Sequence, residues 1–323
     1  MTFPENLFSI RSISDDHIRS FLEQAFQFKS SLDPHQVHPV LKGKTVLQFF
    51  TENSTRTKMS FEAATRRLGG ASISFAQQQS SLAKGETLKD TAQTIFQYGV
   101  DAVVVRNRSS GSPELFHEWL HVPIINAGDG QHEHPTQALL DAMTLMEHFA
   151  LEEFTRPSGS SPVPSSQILE GKLIYILGDV LHSRVARSNI HLLSRLGANV
   201  VLGGPPTLIP RDLSLFPKVE VDCHPDRVLP EADAVMMLRV QYERQEAGFF
   251  PSKEEYRHFW GLTADRVGLL KKSAAILHPG PVNRGLEIDP EATECSQSLI
   301  LKQVENGVWM RMSVLAGLLG GRS

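Results

Sequence analysis

The chain has 323 residues, about twice a typical domain length, which favours two domains over one large core. Hydrophobic residues make up 41 % and charged residues 21 %, an ordinary globular composition that argues against disorder or an extended coiled coil. With 32 Lys+Arg against 36 Asp+Glu the formal charge is -4, so no broad basic field exists for nucleic acid or a membrane surface. An anionic ligand would have to be held by a local cluster of Arg and Lys.

In chain order, residues 45–50 read as a buried strand that runs into Thr51–Thr57 and then a helix with Phe61, Ala64 and Leu68 on one face, stopped by Gly69-Gly70. A helix through Leu88, Ala92, Ile95 and Phe96 follows, then a strand over 102–105, a helix opening at Ser112-Pro113, and a strand over 122–125. A long helix runs from Pro135 to about Phe149. Residues 156–166, rich in Ser and Pro, cannot build a core and read as an exposed loop at a domain boundary. A second alternating set then begins: a strand over 173–177, a helix from about 184 to 196, and strands over 199–202, 234–238 and 274–277. The last stretch, 296–319, carries Leu299, Ile300, Val304, Val308, Leu315 and Leu318 and reads as a helix interrupted near Gly307. Such alternation predicts an α/β protein of two doubly wound parallel-sheet domains.

In such sheets ligands sit outside the carboxyl ends of the strands, so the polar residues just after each strand carry the most weight. Ser54-Thr55-Arg56-Thr57 places hydroxyls, free backbone N–H groups and a guanidinium at a helix N-terminus, a grouping suited to phosphate. An isolated Ser-Thr-Arg would read as a helix cap beside a solvated charge; the strand before it and the helix after it favour the ligand. Arg106 ends the next strand and fits a ligand contact and a strand-end salt bridge equally well. His134 falls just before Pro135, where a helix N-terminus favours a neutral imidazole able to donate to a carbonyl oxygen. His132 and His134 have no third partner at metal-ligand spacing, so no metal is expected.

Lys84 lies in the small-residue loop 79–87, and Arg184 and Arg239 follow strands of the second half, where two guanidiniums suit a carboxylate-bearing substrate. Gly178-Asp179 lacks the glycines of a dinucleotide fingerprint, so NAD is disfavoured and no cofactor is expected. After the strand over 274–277, the two prolines of His278-Pro279-Gly280-Pro281 fix a loop whose carbonyls could accept from an NH₂ group. Together these residues imply a phosphorylated substrate meeting a carboxylate substrate, with proximity and electrostatics carrying the rate. Two cysteines, Cys223 and Cys295, are too few for a disulfide framework and fit a reducing cytoplasm. Residues 1–16 lack the apolar core of a secretory leader and no apolar run approaches spanning length, so neither secretion nor a membrane span is expected.

Ser54–Thr57, Lys84–Thr87, His134–Gln137, Gly178–Arg184, Arg239–Gln241 and His278–Pro281 stand in the order found in one family, and the sequence resembles the catalytic chain of the aspartate carbamoyltransferases over essentially its whole length. The resemblance implies that Ser54, Thr55, Arg56, Thr57 and Arg106 hold the phosphate of carbamoyl phosphate, while Thr57, Arg106 and His134 polarise its carbonyl. It implies that the Gln137 side chain and the Gly280 and Pro281 carbonyls hold the carbamoyl NH₂. Arg184, Arg239 and Gln241 resemble the aspartate carboxylate contacts. Lys84, with Ser81, is similar to a loop that reaches an adjacent subunit's site, which implies a homotrimer with shared sites.

The expected division is residues 1–149 for carbamoyl phosphate, joined by a C-terminal helix of about 304–323, and 150–303 for aspartate, with the active site in the cleft between. The rival ornithine carbamoyltransferases carry a His-Cys-Leu-Pro loop where this chain has His278–Pro281 without cysteine, and a silent scaffold partner is disfavoured by the intact Arg56, Lys84, Arg106, His134, Arg184 and Arg239. Residues 156–166 are longer than the family's usual junction, and Val282–Gly285 resembles the branch that associates with dihydroorotase rather than with regulatory chains.

Overall fold

The computed structural model describes residues 1–30, 36–76, 85–149, 167–216, 218–240 and 252–320. They form two compact units, Met1–Leu140 with Val304–Ser323, and Asp141–Gln303. The division falls inside a helix, nine residues before the boundary expected after Phe149.

The first unit opens with α1 (Asp15–Ser30), whose Asp15 and Asp16 in the first turn and Lys29 in the last turn complement the helix dipole. It continues through β1 (Thr45–Phe50), α2 (Thr55–Arg67), β2 (Ala71–Ala76), α3 (Leu88–Phe96), β3 (Ala102–Asn107), α4 (Ser112–Leu120), β4 (Ile124–Asp129) and the start of α5 (Pro135–His148). The sheet is parallel, in the order β2-β1-β3-β4. Near-continuous apolar runs in β1 and β3 account for this, because a central parallel strand buries both faces. The order in which strands are added reverses between β1 and β3, so the turns after Phe50 and Arg106 flank the switch point.

The strand expected over 122–125 is corrected to β4, which runs on to Asp129. Asn126, Gly128 and Asp129 look like turn residues, yet they satisfy one another: Asn126 Nδ2 donates to Asp129 Oδ1 at 2.7 Å and Gly128 N to Asn126 Oδ1 at 2.7 Å. Residues beside Leu7 pair with β4, where Leu7 N donates to Ile124 O and Asn126 N to Leu7 O, both at 2.9 Å.

The second unit contains β5 (Leu173–Leu177), α6 (Arg184–Arg195), β6 (Asn199–Gly203), β7 (Val219–Val221), α7 (Pro225–Val228), β8 (Ala234–Met237), α8 (Lys253–Trp260), α9 (Ala264–Val267), β9 (Ala275–Leu277) and α10 (Pro290–Glu294). Its sheet is also parallel, in the order β7-β6-β5-β8-β9, and the order in which strands are added reverses between β5 and β8. Tyr175, Leu177, Val235, Met237 and Ile276 form its core with Leu229, Leu262 and Ile288, each worth roughly 2 kcal/mol of hydrophobic stabilisation.

The last helix, α11 (Ile300–Leu319), is continuous, which corrects the interruption expected at Gly307. That glycine makes room for a side chain one turn on: a Cβ there would collide with the Arg311 guanidinium, which donates to Gly307 O at 3.1 Å and lies over the Phe61 ring. No helix among the described residues is long and apolar enough to cross a membrane.

Candidate active site

The turn from β1 into α2 leaves its helix N-terminus open. Ser54 occupies the cap position with φ -155° and ψ 86°, but its side chain makes no capping hydrogen bond. Thr87, Ser183, Ser252 and Thr263, at the same position of other helices, each accept a backbone N–H. The Ser54 side chain thus leaves the first turn of α2 uncapped, at the positive end of the helix dipole. Thr55 and Arg56 are exposed beside them and Thr57 is buried, its carbonyl accepting from Ser60 Oγ at 2.8 Å. Such an uncapped helix start, with hydroxyls and a guanidinium beside it, is suited to an anion.

Arg106 stands opposite Phe50 in the β1–β3 register, on the other side of the switch point. Its Nη1 donates to Ala127 O at 3.0 Å and its Nε lies 3.4 Å from Glu52 Oε2, while Arg106 O accepts from Thr51 N at 3.0 Å. Glu52, with 4 % of its side chain exposed, is a supporting residue that the sequence did not mark. Together these contacts tie the guanidinium to both the β1 and the β4 ends and limit the rotamers it can visit.

His134 precedes α5, is buried, and accepts through its carbonyl from Gln137 N at 3.0 Å, while Thr136 Oγ1 lies 3.5 Å from its Nδ1. The turn that presents it is built around Asp129. This buried carboxylate accepts from Gly111 N at 2.7 Å and Glu133 N at 3.2 Å, and pairs with His132 Nδ1 at 3.2 Å. Burial alone would push the Asp129 carboxyl up, but the hydrogen bonds from His132, Asn126 and Gly111 together hold it below the ordinary carboxylate value. His132 is displaced upward by its hydrogen bond to Asp129, against the opposing pull of burial. Glu133 Oε2 accepts from Ile10 N at 2.7 Å, anchoring the same turn to the N-terminal segment. Gln137, also buried, lies one helical turn beyond His134.

In the second unit the expected residues gather at the carboxyl ends of β5, β8 and β9. Gly178, at φ 137°, approaches Leu238 so closely that a Cβ would press on its backbone. Asp179 then accepts from His182 N at 3.1 Å and from its ring Nδ1 at 2.9 Å, and Ser183 Oγ caps α6 by accepting from Ala186 N at 3.1 Å. Arg184 opens α6 half-buried, and Arg239, also half-buried, follows β8. The Gly280–Pro281 peptide is cis, Gly280 has φ 64°, and Pro281 is exposed. Tyr256 is fully buried; burial, with Glu287 and Asp179 nearby, pushes its phenol well above the usual range.

Ser54, Thr55, Arg56, Thr57, Arg106, His134 and Gln137 therefore belong to the first unit, and Arg184, Arg239, Gly280 and Pro281 to the second. Ser81, Lys84 and Gln241 lie outside the described residues. Among the described residues no group of three or more His, Cys, Asp or Glu could hold a metal ion.

Residues 5–147 match the carbamoyl-P binding domain of aspartate/ornithine carbamoyltransferase, and residues 170–318 match its Asp/Orn binding domain. The chain belongs to the aspartate/ornithine carbamoyltransferase family. It is 48 % identical over 319 residues to an aspartate carbamoyltransferase catalytic subunit from a Nocardioides species, covering 98 % of this chain and 94 % of that relative. Its structure resembles aspartate transcarbamoylase from Trypanosoma cruzi, solved with carbamoyl phosphate and aspartate, with TM-score 0.81, 27 % identity, and 97 % and 95 % of the two chains covered. Ornithine carbamoyltransferase from Pyrococcus furiosus is similar at TM-score 0.83, 28 % identity and 98 % of each chain. Both members of the family share the fold, so the backbone alone does not select the amino acid; the sequence relatedness is to the aspartate enzymes.

Proposed function

We propose that this enzyme moves the carbamoyl group of carbamoyl phosphate to the amino group of L-aspartate, giving N-carbamoyl-L-aspartate and phosphate, a step of pyrimidine biosynthesis. The observation that carries the reading is the open α2 N-terminus at Ser54–Thr57, in a chain 48 % identical to an aspartate carbamoyltransferase catalytic subunit. The α2 N–H groups, the Ser54, Thr55 and Thr57 hydroxyls and the Arg56 and Arg106 guanidiniums hold the phosphate, with each charge-assisted bond favoured by the helix dipole. Thr57, Arg106 and His134 donate to the carbonyl oxygen. Gln137 and the carbonyls of Gly280 and Pro281 orient the carbamoyl NH₂. Arg184, Arg239 and Gln241 hold the aspartate carboxylates, and Lys84 acts on the same substrates.

The uncharged amine of aspartate attacks the carbonyl carbon, and the electron pair of the C=O bond moves to oxygen, where Thr57, Arg106 and His134 stabilise the charge. The oxyanion's electron pair then re-forms the C=O bond as the C–O bond to phosphate breaks, phosphate leaves with that bonding pair, and the amine proton passes to the departing phosphate. Binding and electrostatic preorganisation supply the rate, because neither step needs an enzyme nucleophile.

A homotrimer, in which Ser81 and Lys84 of one subunit complete a neighbour's site, is part of the same reading and is supported by the sequence likeness to that loop. Light scattering gives its mass, and mixing inactive K84A and R106A chains should restore part of the activity only if sites are shared. Cytoplasmic location is supported by the two cysteines, both free. Association with dihydroorotase is supported by Val282–Gly285, and co-purification with that enzyme tests it.

The purified full chain, given carbamoyl phosphate with aspartate or with ornithine, should form carbamoyl aspartate and no citrulline. Citrulline alone would overturn the assignment of Arg239, and no product from either would overturn the proposed activity.

A further inference from the structure

Glu287 is fully buried, lies outside every motif that marks the proposed site, and accepts two hydrogen bonds on one oxygen. His278 Nε2 lies 3.1 Å from its Oε1, and Asn283 N donates to the same atom at 2.6 Å. The imidazole orientation follows from its other nitrogen. Gly280 N donates to His278 Nδ1 at 2.8 Å, so Nδ1 is the acceptor, and Nε2 carries the proton it gives to Glu287. One carboxylate oxygen therefore fixes the ring that in turn fixes the backbone of Gly280. Through Asn283 it reaches further: Asn283 Nδ2 donates to Val240 O at 3.0 Å, and Val240 directly follows Arg239.

The base of the loop is held as firmly. His278 N donates to Gln303 Oε1 at 2.9 Å, Gln303 Nε2 donates to Asp141 Oδ1 at 2.7 Å, and Asn189 Nδ2 donates to Asp141 Oδ2 at 2.9 Å. All of these side chains are buried. In a low-dielectric interior such a chain is rigid when satisfied and costly when broken.

We propose that Glu287 is a positioning residue that sets two substrate-holding segments at once, the Gly280–Pro281 carbonyls through His278 and the backbone bearing Arg239 through Asn283. The inference rests on the proposed function, in which the first segment orients the carbamoyl NH₂ and the second holds a carboxylate of aspartate. Glu287 touches neither substrate. It makes the placement of one depend on the placement of the other, since a displaced carboxylate frees His278 and Asn283 together. Removing it leaves the buried His278 Nε2–H and Asn283 N–H without their acceptor.

The test uses E287A, E287Q and N283A in the full-length enzyme, with steady-state kinetics for both substrates and calorimetric binding of inorganic phosphate. E287A should lower kcat/KM for aspartate about 30-fold, and E287Q, whose amide oxygen can accept the same two bonds, should recover to within about fivefold of wild type. N283A should raise the aspartate KM about fivefold with kcat nearly unchanged, because it cuts only the link to Val240. Phosphate affinity, which belongs to the first unit, should stay within about twofold in all three. Wild-type kinetics in E287A, a wild-type aspartate KM in N283A, or an equal loss of phosphate affinity and activity in E287A would each overturn the proposal. If E287A fails to fold, E287Q and N283A decide it: the proposal stands on near-wild-type kinetics in the first with a raised aspartate KM in the second, and falls otherwise. A wild-type chain that forms no carbamoyl aspartate would instead defeat the activity on which the inference rests.

Discussion

The two units each turn from the first strand of a parallel sheet into a helix at a switch point, yet the two turns are finished differently. After β1, Ser54 stands at the cap position of α2 and caps nothing; after β5, Ser183 caps α6 and Asp179 holds the loop by accepting from His182. A helix N-terminus without a side-chain cap forgoes about 1 kcal/mol and leaves room for an anion in its place. In α6 Ser183 already takes one of those N–H groups, and in the proposed function the charge there is presented by the Arg184 and Arg239 side chains. In the proposed function the same βα turn thus serves as a backbone cradle for phosphate in one unit and as a mount for guanidiniums in the other.

The largest expected effect breaks the chemistry on the first side of this comparison. His134→Ala should lower kcat roughly 100-fold or more, about 3 kcal/mol of transition-state stabilisation, with the melting temperature nearly unchanged. Arg106→Ala should lower kcat by a similar factor and also lower the melting temperature, because Glu52 would be left buried without its guanidinium. Normal turnover in either purified variant removes it from the oxyanion's partners. On the second side, Arg239→Gln should raise the aspartate KM about tenfold or more while leaving phosphate binding alone. A change in phosphate affinity instead would move Arg239 out of the carboxylate site.

Smaller effects sharpen the contrast. Ser183→Ala should cost about 1 kcal/mol of stability in a thermal melt, the usual value of a lost cap, whereas Ser54→Ala should cost almost none. Equal losses would erase the distinction between the turns. The least effect belongs to the Asp129–His132 pair beneath His134. His132 is raised from 6.5 in the folded chain, so its contribution is whole below that value and fades as pH climbs through the folded one. Asp129 is lowered from 3.8, so its contribution is whole above 3.8 and is lost as pH falls through its folded value. Glu133 and Glu114 also face His132 and favour its charged form. Melting temperature should therefore fall slightly on raising the pH past the histidine range, by less than about 1 kcal/mol in stability, and His132→Ala should flatten that slope. A slope unchanged in the variant would place its origin elsewhere.

What the sequence made legible follows from range. β1, β3, β5 and β8 are buried on both faces and announce themselves as apolar runs, while β2 (Ala-Ser-Ile-Ser-Phe-Ala) and the three-residue β7 are sheet edges with mixed faces and passed unread. α1 was missed because its polar face dominates the local pattern, although Phe21 and Leu22 are fully buried. The candidate site residues stood out because parallel sheets place them directly after strands, within a few positions of a recognisable run. Their supports did not, because the partners are distant in the chain: Glu133 holds Ile10 across 123 positions and Asp141 holds Gln303 across 162. Glu52 and Glu287 likewise read as ordinary charges until their buried partners come into view.

The account turns on the open N-terminus of α2, and calorimetric titration of inorganic phosphate into wild type, Ser54→Ala and Ser183→Ala measures it most directly. Phosphate should bind wild type and Ser183→Ala equally, and Ser54→Ala about tenfold more weakly through loss of one hydroxyl donor. Unchanged binding in Ser54→Ala, with weakened binding in Ser183→Ala, would place the phosphate at the other helix and contradict the assignment.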